Sequence, residues 1–241
     1  MYYKTFRFKS LTSTQDKAKE FAKKGIVNAI VISDVQTKGR GRFGRKWHSS
    51  RHGLWMTILL KPKNIGNLQY LTFGAAIAVV NSIKKVTGLS TNIKWPNDVH
   101  YKGKKLCGIL TEGIFGKENH VMVGIGININ QKTFPLEIRN TAISLRMIKK
   151  KSIMVEKIRK NILDEFFNLY KNYYEKNKVG NILKIWKKHC DTLNKNIAVI
   201  NGTEKLYGKS VGIDNNCNLL LKLQSNRIVS ITEGDIIMFK R

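Results

Sequence analysis

Apolar positions along this chain change their rhythm twice, and the changes divide it into segments. Residues 27–35 and 54–60 are mainly apolar runs of strand length, the second stopped at Pro62, and they predict buried strands. Residues 68–86 instead carry Leu71, Ala75, Ala78, Val79 and Ile83 at helical spacing, with Gly88 as the stop. Before them, Ser13, Thr14, Gln15 and Asp16 offer capping side chains to a short amphipathic helix through Ala18, Phe21 and Ala22, ending at Gly25. Residues 92–95 predict a short strand before Pro96, residues 98–101 and 104–114 a hairpin around Gly103, and residues 121–128 a further strand. Residues 152–178 predict the longest helix, with Ile158, Ile162, Phe166, Leu169 or Tyr170, and Tyr173 on one stripe. A second helix carries Ile182, Ile185 and Trp186. Past residue 193 the rhythm changes again. Runs at 197–200, 206–213, 219–223, 228–231 and 236–239 alternate with Asn201-Gly202, Asp214-Asn215-Asn216 and Glu233-Gly234-Asp235, which predicts a small SH3-like β-barrel.

Residues 39–47, Gly-Arg-Gly-Arg-Phe-Gly-Arg-Lys-Trp, belong to none of these elements. Glycine lets backbone approach a ligand closely, arginine forks suit phosphate, and an indole face suits stacking. The chain has 10 Arg against 34 Lys, yet Arg40, Arg42, Arg45 and Arg51 fall within twelve residues. A chain that otherwise uses lysine for charge places guanidinium here, which points to a loop that closes over a nucleotide or an acyl-adenylate. Gly39, Gly41 and Gly44 formally match the dinucleotide fingerprint, but no helix pattern follows and no acidic residue stands near the ribose position, so that reading fails.

Composition narrows the classes. At 241 residues the chain can bury one good core and a small second one. No apolar run is long enough to span a membrane, and residues 1–6 lack a signal-peptide core, so a cytoplasmic location is expected. Cys107, Cys190 and Cys217 are too few and too scattered for a disulfide framework. His48 and His52 have no cysteine or carboxylate nearby, which argues for surface roles over metal ligation. The net charge of +28 invites a nucleic-acid reading. The lysines are spread along the chain, however, and no zinc-finger or RNA-binding aromatic motif is present, so DNA is not the expected partner. The charge would still speed encounter with an acidic macromolecule.

Three further motifs carry chemistry. In Lys94-Trp95-Pro96-Asn97-Asp98, proline fixes the chain direction, and Asn97 and Asp98 can face a site where a carboxylate holds Mg²⁺ or orients an amine. The bland alternative is an ordinary turn. In the run 104–112, Lys105 beside a buried strand can neutralise a carboxylate and then a developing pentavalent phosphate, although a lysine pair is more often a solvated hairpin end. Gly124 and Gly126 share a strand face, where a flat ligand or a packed helix would meet bare backbone.

In this order the four motifs resemble the biotin–protein ligases: residues 39–47, 94–98, 105–110 and 124–128, with Ser13-Thr14-Gln15 similar to the family's Ser-Thr-Asn near the start. The resemblance implies an α/β chain of the α+β type. A mixed β-sheet catalytic domain with packed helices would span residues 1–192, and the SH3-like domain residues 193–241. It also implies the reaction. Biotin and ATP, with Mg²⁺, form biotinyl-5′-AMP, and biotin then passes to a lysine of a biotin carboxyl carrier domain of a biotin-dependent carboxylase. By resemblance, Ser13, Thr14 and Gln36 serve the ureido end of biotin, and Gly39, Arg40 and Arg42 belong to the loop that orders over it. Arg42 also faces the phosphate, Arg45 the ATP phosphates, and Trp47 the adenine. Asn97 and Asp98 lie near phosphates, metal and incoming lysine, and Lys105 contacts the biotin carboxylate and α-phosphate. Gly108, Leu110, Gly124 and Gly126 line the biotin pocket, with Asn128 on the adenosine side. Arg42, Lys105 and Asp98 form the expected catalytic set. Phe43 departs from an arginine often found in the loop, and Val211 stands where some members carry a basic residue. Only about ten residues precede the ligase-like region, which leads to the expectation of an enzyme-only form, monomer or homodimer. Two competitors remain at this point, a lipoate–protein ligase and a non-enzymatic nucleic-acid binder.

Overall fold

The computed structural model describes residues 3–63 and 65–239, so Met1 and Tyr2 of the N-terminal run lie outside it. A seven-stranded mixed sheet has the order β1-β2-β3-β7-β6-β5-β4, and a second, antiparallel sheet of five strands the order β11-β10-β9-β8-β12. In the first sheet, β1 (Lys4–Phe8) runs parallel to β2 (Ala29–Ser33). The remaining pairs are antiparallel: β2 with β3 (Leu54–Leu60), β3 with β7 (His120–Ile127), β7 with β6 (Lys104–Ile114), β6 with β5 (Asp98–Tyr101), and β5 with β4 (Asn92–Lys94).

β2 and β3 are buried at every position, Ser33 and Thr57 included, as predominantly apolar runs between two layers require. One face is covered by α1 (Thr14–Lys23), whose N-cap Ser13 accepts a hydrogen bond from the Gln15 amide. The other is covered by α2 (Gln69–Thr87), closed by Gly88 at φ 73°. α2 is buried almost all round because α4 (Val155–Leu169) and α5 (Val179–His189) wrap its far side. Phe73 stacks on Trp186 at 4.0 Å between centroids, joining α2 to α5.

Three expectations change. β1 was not anticipated: its sequence, Lys-Thr-Phe-Arg-Phe, is half polar because it is an exposed edge strand. A short α3 (Leu145–Lys149), capped by Ser144, is also new. The helix expected over 152–178 starts later and breaks. α4 ends at Leu169 and a π-helical turn follows at Tyr170–Tyr174, where the Glu175 amide reaches back five residues to the Tyr170 carbonyl. The wider turn keeps Tyr170 and Tyr174 both buried and stacked, 5.7 Å apart and continuous with Phe166.

The second sheet holds β8 (Asn196–Asn201), β9 (Glu204–Ile213), β10 (Leu219–Lys222), β11 (Ile228–Ile231) and β12 (Asp235–Met238), close to the expected runs. Its buried side chains join the same hydrophobic core as the large sheet. The Trp95 indole donates to the Cys217 carbonyl at 3.0 Å, and the Tyr70 hydroxyl to the Asn215 carbonyl at 2.7 Å. These bonds tie the turn between β9 and β10 to α2 and to the chain just past β4.

Candidate active site

A cavity of about 270 Å³ opens between the large sheet, the 39–47 loop and the start of β12. Its walls contain Ser13, Thr14, Gln36, Arg40, Arg42, Arg45, Trp47, Asn97, Asp98, Lys105, Gly108, Leu110, Gly124, Gly126 and Asn128. The four motifs and the Ser13-Thr14 turn, up to 115 residues apart between Ser13 and Asn128, therefore meet in one place. Gly39 stands behind the wall: a Cβ there would lie 2.5 Å from Ser49 Oγ and 2.7 Å from the Trp47 carbonyl, so its role is to let the loop fold back on itself.

The deep end is polar and closed. The Thr14 amide and hydroxyl both donate to Gln36 Oε1, at 2.8 and 3.0 Å, and Gln36 Nε2 donates to Ser49 Oγ at 2.7 Å. Thr57, fully buried on β3, lies 2.9 Å from both Thr14 Oγ1 and Gln15 Oε1. Gln15 Nε2 donates to the Leu110 carbonyl at 3.2 Å. Such a chain of fixed donors and acceptors can read a small polar group of a ligand. Sequence reasoning missed Gln15, Thr57 and Ser49 as members. Gln15 stood inside the quoted Ser13-Thr14-Gln15 motif without being assigned to the site, whereas Thr57 and Ser49 carry no local signal.

The middle is apolar. Trp55, Met56, Ile109 and Ile125 contribute walls, and glycines contribute space. A Cβ on Gly126 would lie 2.5 Å from Trp47 Nε1, one on Gly108 3.1 Å from the Trp47 ring, and one on Gly124 2.9 Å from Gln15 Oε1. The glycines thus receive Trp47 and Gln15, which shape the cavity above a side-chain-free floor. The Trp47 indole N–H is buried without a partner among the described residues, a donor left for a ligand.

The mouth is charged. Lys105 Nζ lies 2.7 Å from Asp98 Oδ1 and 5.2 Å from the centre of the Trp47 ring. Asn97 Nδ2 donates to the Ile109 carbonyl at 2.8 Å, which locks the turn before β5. The loop is tied down at both ends. Arg40 pairs with Asp16 and Glu112, the latter at 3.1 Å. Arg45 grips Asp235 of β12 at 2.6 Å, and Arg42 lies 3.8 Å from Glu233. Burial pulls the Arg42 guanidinium below its usual range, against the attraction of Glu233, Asp98 and Asp235. The hydrogen bond from Arg45 holds the Asp235 carboxyl below its usual range. Lys94 is also lowered by burial, with Asp98 opposing the shift. Phe43, exposed and at φ 57°, lies between the Arg42 and Arg45 guanidiniums, at 4.9 and 5.5 Å. Asp235 and Glu233 were legible only as a turn.

Residues 6–130 match the Biotin/lipoate A/B protein ligase family and residues 192–238 the Biotin protein ligase C terminal domain. The bifunctional ligase/repressor BirA of Bacillus spizizenii is 37% identical over 236 residues, 94% of this chain and 71% of that protein. A biotin–[acetyl-CoA-carboxylase] ligase of Mycobacterium tuberculosis is 32% identical over 126 residues, covering 50% of this chain and 46% of its own. Among solved structures, biotin protein ligase from Aquifex aeolicus in complex with biotin and ATP superposes with a TM-score of 0.87 at 29% identity, over the whole of both chains.

Proposed function

The chain belongs to the biotin/lipoate A/B protein ligase family, it is an ATP-dependent biotin–protein ligase, and we infer from its cavity how the side chains divide that work. The observation that carries the inference is the meeting of Arg42, Arg45, Lys105 and Asp98 at the mouth of a cavity whose deep end is polar and whose middle is apolar. Biotin has a cyclic urea, an apolar bicycle and chain, and a terminal carboxylate. The urea fits the Ser13, Thr14 and Gln36 end, the chain crosses the Gly108, Leu110, Gly124 and Gly126 floor, and the carboxylate reaches Lys105.

The reaction must bring that carboxylate against the α-phosphate of ATP, and two anions repel. Lys105 and Arg42 offset the charge of both and meet the added charge of the pentavalent phosphorus. Arg45 takes the departing pyrophosphate, while Trp47 and Asn128 hold the adenosine side. Gly39 and Arg40 belong to the loop that stays closed over the mixed anhydride and keeps water from it. In the second stage the ε-amine of a lysine on a biotin carboxyl carrier domain attacks the acyl carbon. Asp98 orients that amine and receives its proton, and AMP leaves. In this reading residues 1–192 form the catalytic unit, and residues 193–241 form the barrel that anchors the loop through Asp235. The acceptor is a biotin-dependent carboxylase.

Mg²⁺ fits the site only in a shared form. Among the described residues no group of three His, Cys, Asp or Glu could hold a metal. Asp98 supplies one oxygen, and Mg²⁺ is usually held by one or two carboxylates with substrate phosphates and waters. Bound that way, it would neutralise phosphate charge. The test is to separate the stages: labelled biotin with ATP gives an acid-labile adenylate on the enzyme, and adding apo-carrier domain moves the label to its lysine. Label reaching the carrier with no adenylate intermediate would overturn this division of labour.

A further inference from the structure

A second cleft lies behind the first and shares no wall residue with it. Its lining includes Arg51, His52, Gln131, Lys132 and Arg146. It forms where the turn before β3 meets the chain leaving β7. His52, at φ 78°, accepts a hydrogen bond from the Asn130 amide at 2.7 Å, and the Arg146 amide donates to the Ile129 carbonyl at 2.8 Å. Asn130 is fully committed, donating to and accepting from the Ile153 backbone.

Gln131 is the unexplained member. It is 5% exposed, and among the described residues neither its Oε1 nor its Nε2 has a hydrogen-bond partner. Nε2 lies beside Gly53 and Trp55, 2.7 Å from where a Gly53 Cβ would stand, so a side chain at residue 53 would strike both. A buried amide left unpaired costs about 1–3 kcal/mol, and nothing in the fold requires an amide there. Around it, among the described residues, no ion pair engages Arg51, His52, Lys132 or Arg146. Two guanidinium forks and an ammonium thus face a cleft with an unused amide donor and no paired carboxylate. That is a donor set for a tetrahedral oxyanion.

We propose that this cleft is a second anion site, distinct from the nucleotide cavity, and that it takes a phosphate group, free or carried on a polynucleotide. The Gln131 amide and the Arg51 and Arg146 forks hold the oxygens, while Lys132 and His52 flank them. The site backs onto the nucleotide cavity through Trp55, which is 6.4 Å from Trp47.

The probe is the Gln131 side-chain amide, followed by ¹⁵N NMR while sodium phosphate replaces sodium chloride at constant ionic strength. A saturable shift is expected. It should weaken about tenfold or more in Arg51→Ala and Arg146→Ala, and persist in Arg45→Ala, where the nucleotide cavity is impaired. Gln131→Met, which keeps the shape and removes the unpaired amide, should retain its melting temperature and lose phosphate affinity in calorimetry performed on the Arg45→Ala background. A short oligonucleotide titrated the same way identifies the source: tighter binding than free phosphate assigns the site to a polynucleotide, and equal or weaker binding to a free oxyanion. No saturable Gln131 shift with either probe, or unchanged phosphate affinity in Gln131→Met, overturns the proposal.

Discussion

In the proposed division of labour, Lys105 is the side chain on which the first chemical stage most depends. Its ammonium is partly exposed and, among the described residues, its one acidic partner is Asp98, so removing it breaks no core contact. Lys105→Ala should fold with the wild-type melting temperature and lose roughly 10²–10³-fold in the rate of adenylate formation, as loss of one preorganised cationic donor does. A melting curve beside a single-turnover assay checks both halves, and near-normal turnover would remove Lys105 from its assigned role. Arg42 differs, because it belongs to the loop. Arg42→Ala should release preformed adenylate faster, read as dissociation of labelled biotinyl-5′-AMP, with a smaller effect on its formation. At this scale the sequence was most legible where chemistry is local. The Gly-Arg loop, the 94–98 run and Lys105 were readable because residue type and neighbours together state a task. Thr57 and Ser49 were not, since a threonine in an apolar strand and a serine in a turn acquire meaning only when the fold brings Thr14 and Gln36 to them.

The element that makes the site is the 39–47 loop, and its anchor is β12. With Asp235 held to Arg45 and Glu233 near Arg42, the loop is tethered to the barrel while its arginines face the cavity. Asp235→Ala should free the loop in the unliganded protein. Proteolysis within 39–47 should be faster than in wild type, with biotin and ATP restoring protection in wild type. Equal cutting rates would show that the tether holds nothing. The same pair sets a pH dependence. Asp235 has a carboxyl pKa below its ordinary 3.8 in the folded chain, so its contribution is complete above that value and fades as pH falls through the lower, folded one. Loop protection should therefore be flat from neutral pH down to about 4 and decline below it. Elsewhere, strands and helices with a strong rhythm were readable, including Leu54–Leu60 and the α2 seam. The edge strand β1 and the π-helical turn at Tyr170–Tyr174 were not. An exposed strand needs no apolar pattern, and one extra residue in a turn is chosen by aromatic stacking rather than by local propensity.

At the scale of the whole molecule, one core joins the large sheet to the barrel, so the loop's anchor cannot drift from the cavity it closes. The net charge of +28 acts at this scale too. Encounter with an acidic carrier domain should be accelerated at low salt, so the second-order transfer rate should fall about tenfold or more toward physiological ionic strength. Adenylate formation from biotin and ATP should change less. No helix among the described residues is long and apolar enough to cross a membrane. The order of motifs was legible in the sequence, but their convergence on one 270 Å³ cavity was not, because strand order 3-7-6-5 is decided by long-range pairing. The central claim is that this cavity joins the carboxylate of biotin to AMP. It is tested most directly by exchange of labelled pyrophosphate into ATP by the pure protein. The account predicts exchange that requires biotin and is not supported by lipoate; exchange that ignores biotin, or that lipoate sustains equally well, would contradict it.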